Sequence, residues 1–211
     1  MKRPTFAFAA ALGLLTACNS ADLLVSPDPV VPSLAQSPES GLGFLNNAPG
    51  APSFATTSVS FWAVKGKDRQ ASIYFRKRPG LTDSSEFVRF RVTKRSLVNR
   101  PNGTPIAAGD SILITITIAD SARRIVSFAP AGLVFDSKRQ AKLWIWSAES
   151  DPDVNHDGSV NSTDTNLLQS ARIWRQEQVG LPWNSQATVV NLVTHQYTTE
   201  VGGFTRYAVA Y

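Results

Sequence analysis

The chain has 211 residues, 43% hydrophobic and 18% charged, with 13 Gly, 13 Pro and a single Cys, a composition that fits one globular domain joined to an unstructured segment. One cysteine makes no internal disulfide, no apolar run of about 18 residues follows the N-terminus, and no Gly-X-Y or heptad repeat occurs, so disulfide scaffolds, spanning helices and fibrous classes are excluded. The formal charge of +5 is compatible with nucleic acid, an anionic surface or solubility alone, and location has to decide among them.

Residues 1–17 begin with Lys2 and Arg3, continue through an apolar stretch from Phe6 to Leu15 and end in small residues, the pattern of a secretory signal too short to span a bilayer. The end of that segment, Leu15-Thr16-Ala17-Cys18, resembles the lipobox of bacterial lipoproteins, and the one cysteine of the chain falls where acylation needs it. The resemblance implies cleavage before Cys18, attachment to the membrane through its acyl chains, and, with Asn19 rather than Asp next in line, a place in the cell envelope at the outer membrane or cell surface. Two or more acyl chains anchor stably where one is marginal. Lys2 and Arg3 leave with the signal, so the mature chain keeps 19 of its 21 basic residues against all 16 acids.

Residues 18–57 hold three acids (Asp22, Asp28, Glu39), no Lys or Arg and six prolines. That composition buries too little apolar surface to fold, and the segment reads as a disordered tether with a reach of roughly 35 Å. At most a short helix around 42–45 is expected within it.

From residue 58 the texture turns to short alternating runs, the period-2 signature of half-buried strands. Val59, Phe61 and Ala63 alternate with Ser60 and Trp62; Ile73 and Phe75 follow; Val88, Phe90 and Val92 face inward while Arg89 and Arg91 face out. Over 111–118, Ile112, Ile114, Ile116 and Ile118 share one face, which must be core. Later runs lie at 125–128, 142–147, 188–193 and 205–211. Some eight or nine strands over 58–211 predict a mainly β domain, an antiparallel β-sandwich with one inserted calcium loop and helix.

The chemistry concentrates at 153–164. Asp153, Asn155, Asp157, Ser159, Asn161 and Asp164 occupy positions 1, 3, 5, 7, 9 and 12 of a loop with Gly158 at position 6. Calcium takes six to eight oxygens, so alternate side chains must converge while the backbone turns sharply; Gly158 permits the turn, Ser159 offers its carbonyl, Val160 is expected to enter the core, and a helix over 163–174 follows. Calcium is the cofactor these residues predict.

This stretch resembles a dockerin type I repeat, or more broadly an EF-hand-like loop, on Asp153, Asn155, Asp157, Gly158, Val160, Asn161, Ser162, Asp164, Leu167 and Leu168. Dockerins carry two repeats and grip a cohesin through a Ser/Thr pair, matched here by Ser162 and Thr163, and through basic residues on the helix. This chain has one repeat, with Gln169 and Ser170 at the basic positions, which points instead to a structural clip needing only weak binding in an extracellular setting.

A second likeness covers about 80 residues. Phe128-Ala129-Pro130-Ala131-Gly132-Leu133-Val134-Phe135, followed by Leu143-Trp144-Ile145-Trp146, is similar to the sandwich domain shared by zonula occludens proteins, netrin receptors and ankyrins. Some relatives cleave themselves at a His-Phe-Ser, and here Gly203-Phe204-Thr205 lacks the histidine base, so an intact chain is expected. The resemblance implies a scaffold or binding role.

His156 and His195 sit in no nucleophile motif, and no phosphate-cradling or zinc-protease pattern occurs, so no enzyme is expected. Trp144 and Trp146 share one face of a strand. They make either a ligand platform for sugar rings, joined by Trp62, Trp174 and Trp183, or the seat on which the helix lies. Arg76, Lys77, Arg78, Arg89, Arg91, Lys94 and Arg95 form a solvated basic face or a site for acidic polysaccharide or lipid headgroups. The partners expected are the membrane and a protein or polysaccharide, with no nucleic acid. The main reading is a non-catalytic, lipid-anchored binding or scaffolding protein; the competing one is a carbohydrate-associated module of a dockerin-bearing polysaccharide-degrading system.

Overall fold

The computed structural model describes residues 41–211. The signal 1–17, Cys18 and the tether as far as residue 40 lie outside the described residues.

In chain order the strands are β1 (Ser58–Val64), β2 (Arg69–Tyr74), β3 (Glu86–Val92), β4 (Leu97–Asn99), β5 (Ser111–Asp120), β6 (Ile125–Ala129), β7 (Val134–Phe135) and β8 (Ala141–Trp146), followed by the helix α1 (Ser162–Ser170) and by β9 (Arg172–Gln176), β10 (Trp183–Ser185), β11 (Thr188–Asn191), β12 (Gln196–Val201) and β13 (Arg206–Ala210). Six strands form one sheet in the order β1-β5-β6-β13-β9-β10, five form a second in the order β11-β12-β8-β3-β2, and β4 pairs with β7. Every named pairing is antiparallel. The mainly β, antiparallel architecture, with a single helix among the described residues, is the one the sequence predicts.

Period-2 patterning decides which way each strand faces. Ile112, Ile114, Ile116 and Ile118 of β5 point into the core together with Val88, Phe90 and Val92 of β3 and Leu143 and Ile145 of β8, while Leu113 and Arg91 face solvent. The two sheets meet through aromatic rings: Phe90 lies 5.0 Å from Phe128 and 5.2 Å from Phe204, centroid to centroid. Burial of each such side chain contributes about 1.5–3 kcal/mol, which accounts for a fold without disulfides.

The folded domain starts earlier than residue 58. Phe44 bridges to Ala210, Asn47 to Ser150 and Phe54 to Phe75, and Leu45 is buried. The tether expected over 18–57 is therefore corrected for 41–57, where three isolated bridges replace both the disordered chain and the short helix. The physical reason is that each of these few apolar residues meets a distant partner, as in the stacking of Phe54 on Phe75 at 4.6 Å. Gly43 lets this happen at closest range: its backbone exchanges two hydrogen bonds with Tyr211, and a Cβ there would lie 2.2 Å from the Tyr211 ring.

The helix is also shorter than the expected 163–174. It stops at Ser170, Ala171 turns to ψ 147°, and Arg172 folds its guanidinium back onto the carbonyls of Gln169, Ser170 and Ala171. Trp174 then belongs to β9, paired with Ala208.

Candidate metal centre

Loop 153–164 wraps its side-chain oxygens around its own amides. Asp153 accepts from the N–H groups of Asp157 at 3.1 Å and Gly158 at 2.8 Å, Asn155 Oδ1 accepts from the same Asp157 N–H at 3.1 Å, and Asp157 accepts from Ser159 N at 2.9 Å. Three alternate side chains thus converge on one turn. Gly158 (φ +86°) and His156 (φ +58°) supply the left-handed backbone that the reversal demands.

Asp164 closes the loop from the helix side. Asn161 is the N-cap, accepting from Thr163 N at 2.7 Å, and Asp164 at N3 accepts from Asn161 N at 2.8 Å, a capping box. The other oxygen of Asp164 accepts from Val154 N at 2.8 Å and Asn155 N at 3.3 Å, and the side chain is only 2% exposed. The Asn161 amide foremost, with those of Asn155 and Val154, holds the Asp164 carboxyl below the usual carboxylate range against the opposing effect of burial.

An ionised carboxylate has about four lone-pair sites, so one accepting a single amide per oxygen keeps capacity for a cation. Asp153 and Asp157 fit a hard, oxygen-seeking ion on that ground, and Asn155 Oδ1 and the Ser159 carbonyl, each accepting one N–H and keeping a second lone pair, add neutral oxygens. Asp164 is largely committed to backbone amides. Among the described residues no three His, Cys, Asp or Glu side chains converge as a ready-made metal cluster; the donors of this loop are partly amide and carbonyl. Val160, expected in the core, is 65% exposed, and Val154 is buried in its stead because its own amide is drawn inward to Asp164.

The loop is fastened to both ends of the described chain. Tyr211 donates its hydroxyl to the Val154 carbonyl at 2.8 Å. Asn46 accepts at its carbonyl from Asp151 N at 2.9 Å and meets His156 Nε2 through its side-chain amide at 3.0 Å. On the helix side, Tyr197 donates to the Leu168 carbonyl at 2.7 Å, and Leu167 and Leu168 pack on the main core.

Sequence reading missed a second anchor, Arg124. This buried residue in left-handed conformation donates to Trp146 O and Asn47 Oδ1 while its guanidinium lies 5.5 Å from the Phe75 ring and 5.2 Å from Phe87. Burial lowers its affinity for a proton and the Glu149 carboxylate opposes that effect. Glu149 in turn receives Arg78 at 2.6 Å and Ser85 at 2.8 Å. A guanidinium in a turn carries no periodicity, so no sequence signal marks it.

The tryptophans do not form one platform: Trp174 and Trp183 share an apolar cluster with Ile125, Ala208 and Phe44, while the other three lie elsewhere. Trp144 and Trp146 stand half-buried on the outer face of the five-stranded sheet, because Leu143 and Ile145 take the inner one, and the helix does not lie on them. Arg89 covers Trp146 at 5.2 Å. Trp62 is exposed on β1, Trp183 is buried against Phe44 at 5.3 Å, and Trp174 donates to Ala210 O. In the Gly203-Phe204-Thr205 stretch, Phe204 is buried and Thr205 accepts from Arg175 Nε at 3.1 Å.

No family model, curated protein or solved structure matches this chain. The likenesses to dockerins and to the zonula occludens, netrin receptor and ankyrin domain accordingly rest on the quoted motifs alone.

Proposed function

We propose that the protein is a non-catalytic, lipid-anchored component of a bacterial cell envelope, in which acylated Cys18 holds the membrane and the β-sandwich acts as a binding or scaffolding module clipped by a calcium loop. The observation that carries this reading is the position of loop 153–164: it joins Tyr211, Asn46 and α1, so an ion held there would tie both ends of the described residues to the helix. Calcium would draw on Asp153, Asn155, Asp157 and the Ser159 carbonyl, with Asn161 and Asp164 completing and orienting the loop. The converging oxygens support a hard divalent cation; the anchoring rests on the Leu15-Thr16-Ala17-Cys18 motif.

Titration calorimetry of the full chain with calcium, beside Asp153→Ala and Asp157→Ala, tests the loop. Heat of binding that both substitutions abolish supports it; no heat, or heat that both variants retain, removes calcium from the reading. Anchoring is tested by detergent-phase partition of the chain expressed with its leader, against Cys18→Ser: the native chain enters the detergent phase and the variant stays aqueous, and identical partition refutes the acyl anchor.

A further inference from the structure

The outer face of the five-stranded sheet is ruled by its register. Glu200 of β12 stands opposite Lys142 of β8, Lys142 opposite Arg91 of β3, and Arg91 opposite Gln70 of β2, one continuous cross-strand row. Beside it, about 7 Å along each strand, runs a second row on the same face, Thr198, Trp144, Arg89 and Ser72. Tyr74, at the end of β2, is exposed next to them.

Along the first row the surface is hollow. A depression of about 520 Å³ lies over β11, β12 and β8, lined in part by Gln140, Lys142, Gln186, Thr198 and Glu200. A neighbouring one of about 480 Å³ shares Gln140, Lys142 and Glu200 with it and continues over Lys94, Arg95 and Arg139 to Asp68. A third, of about 320 Å³, shares Asp68 and carries on to Gln70 and Arg91. Because each shares residues with the next, the three form one trough running across the strands from β11 to β2.

The trough has a sign. Six cations (Arg69, Arg91, Lys94, Arg95, Arg139, Lys142) face two carboxylates (Asp68, Glu200). Asp68 is already taken by Arg91 and by the Lys94 amide. Among the described residues Lys94, Arg95, Arg139 and Lys142 take part in no ion pair. The remaining lining is amide and hydroxyl apart from Ala187 and the exposed Val189 at the β11 end, and Trp144, outside the depressions themselves, offers a half-buried aromatic surface on the neighbouring row. Unpaired cations spaced along a groove suit a polymer with a repeating negative charge; amides and hydroxyls suit ring hydroxyls, and an indole suits the apolar face of a sugar ring.

From this we infer that the trough over β11, β12, β8, β3 and β2 binds an extended carboxylated polysaccharide, a uronate-bearing glycan laid across the strands with its carboxylates on Lys142, Arg139 and Lys94 and a sugar ring against Trp144. The inference deepens the binding-module reading and rests on it.

Binding of hexagalacturonate to the full chain, measured by calorimetry in chelator so that loop and glycan take no shared calcium, tests the assignment. The double variant Lys142→Gln/Arg139→Gln, with both positions exposed, should keep the native melting temperature and lose affinity about tenfold or more, the equivalent of one charge-assisted hydrogen bond. Trp144→Ala should weaken binding to a similar degree, and a neutral galactose hexamer should bind at least as poorly as hexagalacturonate binds the double variant. Hexagalacturonate binding that the substitutions leave unchanged overturns the site. Equal binding of hexaglutamate overturns the glycan while leaving a charged docking trough, and hence the binding module. Absence of binding to all three probes overturns the glycan proposal, and the calcium titration then judges the wider reading separately.

Discussion

Tyr211 donates its hydroxyl to the carbonyl of Val154 at 2.8 Å while its ring lies against Gly43, so one side chain joins the first described residues, the last strand and the entrance of the oxygen-rich loop. Val154 is buried, and the Tyr211 hydroxyl is the partner of its carbonyl. Tyr211→Phe should lower stability by about 1–2 kcal/mol, the cost of leaving a buried acceptor unpaired, read as a fall in melting temperature of about 2–8 °C.

Gly43→Ala tests the same contact from the other side. The new Cβ would meet the Tyr211 ring at 2.2 Å, and overpacking of that kind costs about 1–3 kcal/mol. In a Tyr211→Ala background the ring is gone, and the Gly43→Ala penalty should shrink to a few tenths of a kcal/mol; a double-mutant cycle by denaturant unfolding measures the difference.

Arg124→Met should destabilise by about 3 kcal/mol or more, because the Trp146 carbonyl and Asn47 both lose their charged donor. Arg124→Lys should rescue little of this, since a single ammonium does not span both acceptors as a fork. Equilibrium unfolding in urea of the three proteins checks the order.

Asp164 sets an acid limit. Its folded-state pKa lies below the ordinary value, so its contribution is fully present above the unfolded-state pKa of about 3.9 and is lost as pH falls through the lower folded-state value. Asp164→Asn presents an amide N–H₂ to backbone donors, and should destabilise most near neutral pH and least in strong acid. Melting curves from neutral to acid pH should converge for the two proteins; a constant gap would refute the assignment.

Calcium at about ten times its dissociation constant should add roughly 1.4 kcal/mol, raising the melting temperature by about 3–6 °C. Asp157→Ala should abolish the rise, whereas Val160→Ala, at an exposed position, should keep it.

Strand direction was the most legible feature of the sequence, because alternation is local: the isoleucines of β5 and the arginines of β3 face as their spacing requires. The loop was legible for the same reason, with all its donors inside twelve consecutive positions. Non-local pairing was not. Leu167, Leu168, Ala171 and Trp174 recur at helical spacing, yet Ile173 N donates to Thr188 Oγ1 and β9 joins β13, a pairing that overrides the local pattern from residue 171 onward. The order of residues 44–54 carries no local signal because the partners of Leu45 and Phe54, Val209 and Phe75, are remote in sequence. The burial of Val154 in place of Val160 follows from the amide bonds of Asp164, which spacing alone does not reveal.

The pairing of residues 43–46 with the C-terminal strand and the loop also decides how the domain meets mechanical load. Among the described residues, a pull from the N-terminal side reaches the paired backbones of Gly43 and Tyr211, then Phe44 and Leu45 on Ala210 and Val209 of β13, and then Asn46, which holds Asp151 and His156 at the threshold of the loop. Tension is therefore shared between β13, in the middle of the six-stranded sheet, and the oxygen-rich turn, and the hold of those two together determines whether the terminal segment peels away or the domain resists as a unit.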